Sequence, residues 1–76
     1  MSAFTFCLGI LGTGNMAEAI IRGVLGSNIL TANQITAFEK NKERTSYIKN
    51  KYNLSFQPSI SELVKNSRYI LIAVKP

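Results

Sequence analysis

Three glycines, Gly9, Gly12 and Gly14, fall within six positions of the stretch "GILGTGNMAEAI". Glycine loses more backbone freedom on folding than any other residue, so such a cluster needs a physical reason. Its flanks narrow the reason down. The apolar run before it, "FTFCLGIL" over residues 4–11, has the pattern of a strand buried on both faces. From Asn15 onward the pattern becomes helical, with Met16, Ala17, Ile20, Ile21, Val24 and Leu25 forming one stripe, and Gly26 with Asn28 supplying a stop. Between the two, Gly12-Thr13-Gly14-Asn15-Met16-Ala17 fits G-x-G-x-x-[GA] at the strand-to-helix junction where a dinucleotide fingerprint belongs. In that reading Gly12 turns the chain out of the strand, Gly14 lets backbone approach a diphosphate, and Ala17 keeps helix and sheet close. The free N–H groups at the helix start, with the positive end of its dipole, attract the anion. Asn15 donates to the phosphate, caps the helix, or does both, and Met16 is read as packing. Glu18, the first acid in the chain, is expected to face solvent.

The remaining chain repeats the alternation. "QITAF" (residues 34–38) predicts a second strand, and Asn41 predicts the N-cap of a helix to about Tyr52, with Tyr47, Ile48 and Tyr52 toward the sheet. "LSFQ" predicts a short third strand. "SISE" predicts a capping box in which Ser59 and Glu62 satisfy each other's backbone N–H groups, opening a helix over residues 62–66. "YILIAV" (residues 69–74) predicts a fourth, apolar strand. Alternating strands and helices imply right-handed βαβ units, hence an α/β fold: a three-layer αβα, doubly wound parallel sheet of the Rossmann type in strand order 3-2-1-4. An apolar fourth strand with an uncovered edge leads to the expectation that residues 1–76 are the N-terminal part of a longer protein.

Glu39 lies about 20 residues past the motif, where an acid receives the adenosine ribose 2′-OH and favours NAD. Lys40 follows it and suits the 2′-phosphate of NADP. Because Lys40, Lys42 and Arg44 outweigh Glu39 in local charge, the expectation tilts slightly toward NADP, with NAD as the alternative. Ala73 and Val74, at the carboxyl end of the fourth strand, are expected beside the second ribose and nicotinamide. Lys75 is either a cofactor contact or a solubilising end residue.

Several functions are disfavoured by composition. The formal charge of +5 is concentrated around Lys40, Lys42, Arg44, Lys49 and Lys51, but Glu39 and Glu43 interrupt it, so it reads as a solvated helix face rather than a nucleic-acid surface. No apolar run approaches the roughly 20 residues of a membrane span. The absence of histidine, with a single cysteine, leaves too few ligands for structural zinc and makes a reducing, cytoplasmic setting the default. Cys7 reads as a buried inert thiol, Tyr47, Tyr52 and Tyr69 as core edge, and no side chain as a catalytic acid or base.

"GILGTGNMAEAIIRGVL" together with "ILIAVKP" resembles the N-terminal domain of the pyrroline-5-carboxylate reductases, over residues 4–76. The resemblance implies hydride transfer from NADPH or NADH to the C=N carbon of 1-pyrroline-5-carboxylate, giving proline. It implies a diphosphate cradle of Leu11, Gly12, Thr13, Gly14, Asn15 and Met16. It further implies cofactor selection by Glu39, Lys40 and Asn41, and an approach to the nicotinamide by Ala73, Val74, Lys75 and Pro76. Substrate binding and homo-oligomer formation would belong to a C-terminal helical domain with no counterpart in this chain. Where some members carry a serine, threonine or asparagine followed by arginine, this chain has Glu39-Lys40; where some carry a cofactor-touching asparagine, it has Ser59-Ile60-Ser61. Alternatives are another NAD(P)- or F420-linked reductase of the β-hydroxyacid dehydrogenase type, or a nucleotide-sensing module without turnover.

Overall fold

The computed structural model describes residues 4–74. Seven regular elements follow one another: β1 (Phe6–Leu11), α1 (Asn15–Gly26), β2 (Ile35–Phe38), α2 (Lys42–Tyr52), β3 (Ser55–Phe56), α3 (Ile60–Asn66) and β4 (Ser67–Ile72), with one 3₁₀ turn at Ala32–Gln34 before β2. The strands form one parallel sheet in the order β3-β2-β1-β4, as the alternation predicted. Leu8 pairs with Ile35 on one side and Tyr69 on the other, and Leu11 with Phe38 and Ile72, so β1 is central.

Side chains alternate across the sheet, which gives each face its own core. On one face Ile10, Ile35 and Ala37 pack against Ala17 and Ile21 of α1, Ile48 of α2 and Leu54 in a single buried cluster. On the other, α3 lies over β1, β2 and β4 with Leu63 buried beneath it. Gly9 is needed for this layer, because a Cβ there would lie 2.2 Å from Ser67 Oγ. Helix ends follow local chemistry. Asn41 Oδ1 accepts from the Arg44 N–H, Ser59 Oγ accepts from the Glu62 N–H, and Asn28 takes a left-handed φ of 58° just after α1.

Several expectations need correction. β1 begins at Phe6, the first residue paired with β4, rather than at Phe4. β4 runs Ser67–Ile72, two residues earlier than the apolar run suggested, because pairing with Phe6 extends it backward. α3 starts at Ile60, directly after its Ser59 cap, and its box is only half formed: Glu62 accepts from the Asn66 amide instead of reaching back. A complete box forms where none was expected, between Thr31 and Gln34. Met16 is 75% exposed and lies outside the buried stripe, and Cys7 is half-buried.

Candidate functional site

The end of β1 is tethered on both sides. The Gly12 N–H donates to the Phe38 carbonyl (2.9 Å), and the Leu11 carbonyl accepts from the Ala73 N–H (2.8 Å). The chain then turns at Gly12 with φ +94°, a conformation that L side chains rarely adopt. Space forbids a side chain there as well: a Cβ would lie 2.9 Å from Val74 Cγ1 and 3.2 Å from the Ala73 carbonyl. Gly14 differs. As the N-cap of α1 it has an ordinary φ of −70°, and a Cβ on it would meet nothing within 4 Å. Asn15 is thus the first helical residue rather than the cap, and no side chain caps α1. The first bond of the helix runs from the Glu18 N–H to the Gly14 carbonyl, which leaves the N–H groups of Gly14, Asn15, Met16 and Ala17 without partners among the described residues.

This elbow forms the floor of a cleft of about 780 Å³ at the carboxyl rim of the sheet, within the range of about 300–1,000 Å³ usual for ligand sites. Of the residues expected from the sequence, Leu11, Gly12, Thr13, Gly14, Glu39, Lys40, Ala73 and Val74 line it, along with Asn41. Asn15 and Met16 do not; both are exposed at the start of α1. Lys75 and Pro76 lie outside the described residues. Phe38 and Ile60 also line the cleft and were not anticipated; Arg44, counted in the sequence only for its charge, lines it too.

Glu39 is anchored rather than free. Its Oε1 accepts from the Thr13 N–H (2.7 Å) and hydroxyl (2.9 Å), and its Oε2 from the Asn41 N–H (3.1 Å). Burial pushes this carboxyl up, but the Asn41 and Thr13 donors and the Arg44 charge outweigh burial and hold it below the ordinary range. The acid expected to read a ribose therefore also fixes the elbow.

The reading of Glu18 as solvent-facing is overturned. Glu18 is 7% exposed, because α1 turns it toward α2. Arg44 Nη2 donates to its Oε1 (2.7 Å), while the Tyr52 hydroxyl (2.6 Å), the Tyr47 hydroxyl (2.9 Å) and Lys51 Nζ (3.3 Å) donate to its Oε2. These donors, Tyr52 first and against the opposing effect of burial, lower its pKa from 4.5 to about 2. Tyr47 and Tyr52 thus turn their hydroxyls to α1, and Arg44 is half-buried rather than part of a solvated face, whereas Lys51 stays exposed while its Nζ reaches Glu18. Positions 44, 47, 48, 51 and 52 share one side of α2, a spacing visible in the sequence once a lone acid in an apolar helix stripe is taken as its target.

An α/β domain with a bare glycine elbow at its carboxyl rim is a nucleotide-binding domain by architecture. Residues 7–76 match the family model described as "NADP oxidoreductase coenzyme F420-dependent", and the chain belongs to that family of NAD(P)-dependent oxidoreductases. It is 36% identical to the pyrroline-5-carboxylate reductase of Arabidopsis thaliana over 97% of this chain and 27% of that protein. It is 33% identical to ComE operon protein 4 of Bacillus subtilis and, equally, to the pyrroline-5-carboxylate reductase of Synechocystis, each over 91% of this chain and 26% of the relative. The chain spans about a quarter of the length of these curated relatives. No helix among the described residues is long and apolar enough to cross a membrane.

Proposed function

We propose that this chain is the cofactor-binding part of a pyrroline-5-carboxylate reductase, which reduces 1-pyrroline-5-carboxylate to proline with NADPH or NADH. One observation carries the cofactor reading: Gly14 stands open at the N-terminus of α1 on the floor of the cleft, with no protein atom within 4 Å of its absent Cβ. A diphosphate fits such a place, where unpartnered N–H groups and the helix dipole stabilise an anion. The N–H groups of Gly14, Asn15 and Met16 would hold the diphosphate, with Leu11, Gly12 and Thr13 shaping the elbow beneath it by their own protein hydrogen bonds. Glu39, Lys40 and Asn41 would take the adenosine end, and Ala73, Val74, Lys75 and Pro76 the nicotinamide side. The cofactor when bound supplies hydride; this part of the protein contributes position rather than proton transfer.

The preference assigned is NADPH. Three donor groups and the Arg44 charge already compensate Glu39, and Lys40 stands exposed in the cleft. The imine substrate follows from the names of the relatives, and their greater length is consistent with a further domain, to which this reading gives substrate binding and oligomer formation. The family model's own description favours a second reading, a reductase that exchanges hydride between NADP and coenzyme F420.

Gly14→Val in the intact protein tests the cofactor reading. Its side chain enters open space at an ordinary φ, so the fold should persist by circular dichroism while NADPH binding, followed by fluorescence titration, is lost. Undiminished NADPH affinity would refute the site. Proline-forming oxidation of NADPH, set against NADPH-dependent reduction of F420, decides between the two reactions.

A further inference from the structure

Arg44 joins two features that the cofactor reading leaves separate. Its Nε–H donates to the Thr13 carbonyl in the glycine elbow, and its Nη2 donates to Glu18 Oε1 (2.7 Å). Its guanidinium lies over the Tyr47 ring, 4.9 Å from the centroid. Arg44 lines the cleft, whereas Glu18 does not. Glu18 is nevertheless the most heavily bonded side chain described here, with four donors from one side of α2. A carboxylate held this firmly fixes the guanidinium it pairs with, since the planar fork of arginine has its donors in rigid geometry.

The Thr13 carbonyl belongs to the peptide that carries the Gly14 N–H. In a trans peptide the carbonyl and the following N–H point in opposite directions, so a donor on one fixes the direction of the other. The previous peptide is fixed as well, because the Thr13 N–H donates to Glu39 Oε1 (2.7 Å). Both peptides flanking Thr13 are therefore held by side chains from the start of α2 and the loop before it.

We infer that Glu18 is a positioning residue for diphosphate binding: through Arg44 it holds the Thr13–Gly14 peptide in the orientation that presents the elbow to the ligand. The inference rests on the dinucleotide reading above and adds to it a residue outside the cleft. It accounts for an anion in the first turn of the helix that is to receive another anion. Two cations, Arg44 and Lys51, cover its charge, and the arrangement uses one of them to set the elbow.

The test uses two probes on the intact protein, ADP-ribose, which has the diphosphate, and 2′-AMP, which lacks it. In Glu18→Gln, calorimetric titration should show ADP-ribose binding weakened about fivefold or more, as for loss of a charge-assisted bond. Binding of 2′-AMP should be unchanged, and so should the ratio of NADPH to NADH affinities. A purely structural role for Glu18 would lower the thermal midpoint without separating the two probes. Arg44→Lys keeps the charge but cannot reach both Thr13 and Glu18, so it should show the same selective loss, and it decides the question alone if Glu18→Gln does not fold. The double variant should be no weaker than either single one, since both break one relay. Unchanged ADP-ribose affinity in folded variants that still bind 2′-AMP, or strictly additive losses, would overturn the inference and leave the cofactor reading intact. Wild-type protein that binds neither ADP-ribose nor NADPH would remove that reading and the inference together.

Discussion

Gly12 and Gly14 sit two positions apart and do different work. Gly12 is fixed by protein: its φ is +94° and Val74 and Ala73 close over it. Gly12→Ala should lower stability by about 1–3 kcal/mol through backbone strain alone, read as a drop in the urea midpoint at unchanged far-UV circular dichroism. A midpoint equal to wild type would mean that the turn does not hold Gly12 at a positive φ. Gly14 has no such constraint, so its absent side chain serves the ligand rather than the fold. Lys40 illustrates a third case, an exposed charge in the cleft with no side-chain partner among the described residues. Lys40→Ala should weaken NADPH by about fivefold, as for an exposed cation–phosphate contact of about 1 kcal/mol, and leave NADH nearly unchanged. Equal losses for the two cofactors in paired fluorescence titrations would show that Lys40 does not read the 2′-phosphate.

Among the elements, β1 and β4 lie edge to edge in the sheet and come closest at Gly9 and Ser67. Ser67 Oγ is buried and has no hydrogen-bond partner among the described residues, so Ser67→Ala should be neutral or stabilising by up to about 1 kcal/mol. Gly9→Ala should cost about 1–3 kcal/mol by overpacking, since its Cβ would meet both Ser67 Oγ and, at 2.8 Å, Ser67 Cβ. Ser67→Gly in the same chain should recover much of that loss, a coupling that a double-mutant cycle in urea would detect; full additivity would place the two residues apart. This pair also marks the limit of what could be read in advance. Strand order and helix positions were legible because apolar runs and three-to-four spacing are local properties of the chain. So were the glycine elbow and Glu39, because the fingerprint fixes their separation. Ser67 was not, since its pairing with Phe6 depends on a register set across the sheet. Neither was the burial of Glu18, which follows from how closely α2 comes to lie beside α1.

At the level of the molecule, that closeness makes one carboxylate the joint between two helices. α1 contributes Glu18 and α2 contributes Arg44, Tyr47, Lys51 and Tyr52, so a single anion ties together two helices that also share a buried apolar cluster through Ala17, Ile21 and Ile48. The consequence is a dependence on acid. The folded pKa of Glu18, about 2, lies below its ordinary 4.5, so the folded state takes up its proton later than the unfolded state does. Its stabilising contribution is complete above about pH 4.5 and is lost as pH falls from there toward 2. Glu39 is also lowered, and its contribution disappears in the same direction. The urea midpoint of the wild-type protein, followed by circular dichroism, should therefore fall steeply between pH 5 and pH 3. Glu18→Gln should start lower at pH 7 and fall less over the same interval, so that the two curves converge at the acid end. Parallel curves would mean that Glu18 is not the group whose protonation separates the helices. Convergence with a residual slope in the variant would assign that remainder to Glu39, and Glu39→Gln should then flatten it further.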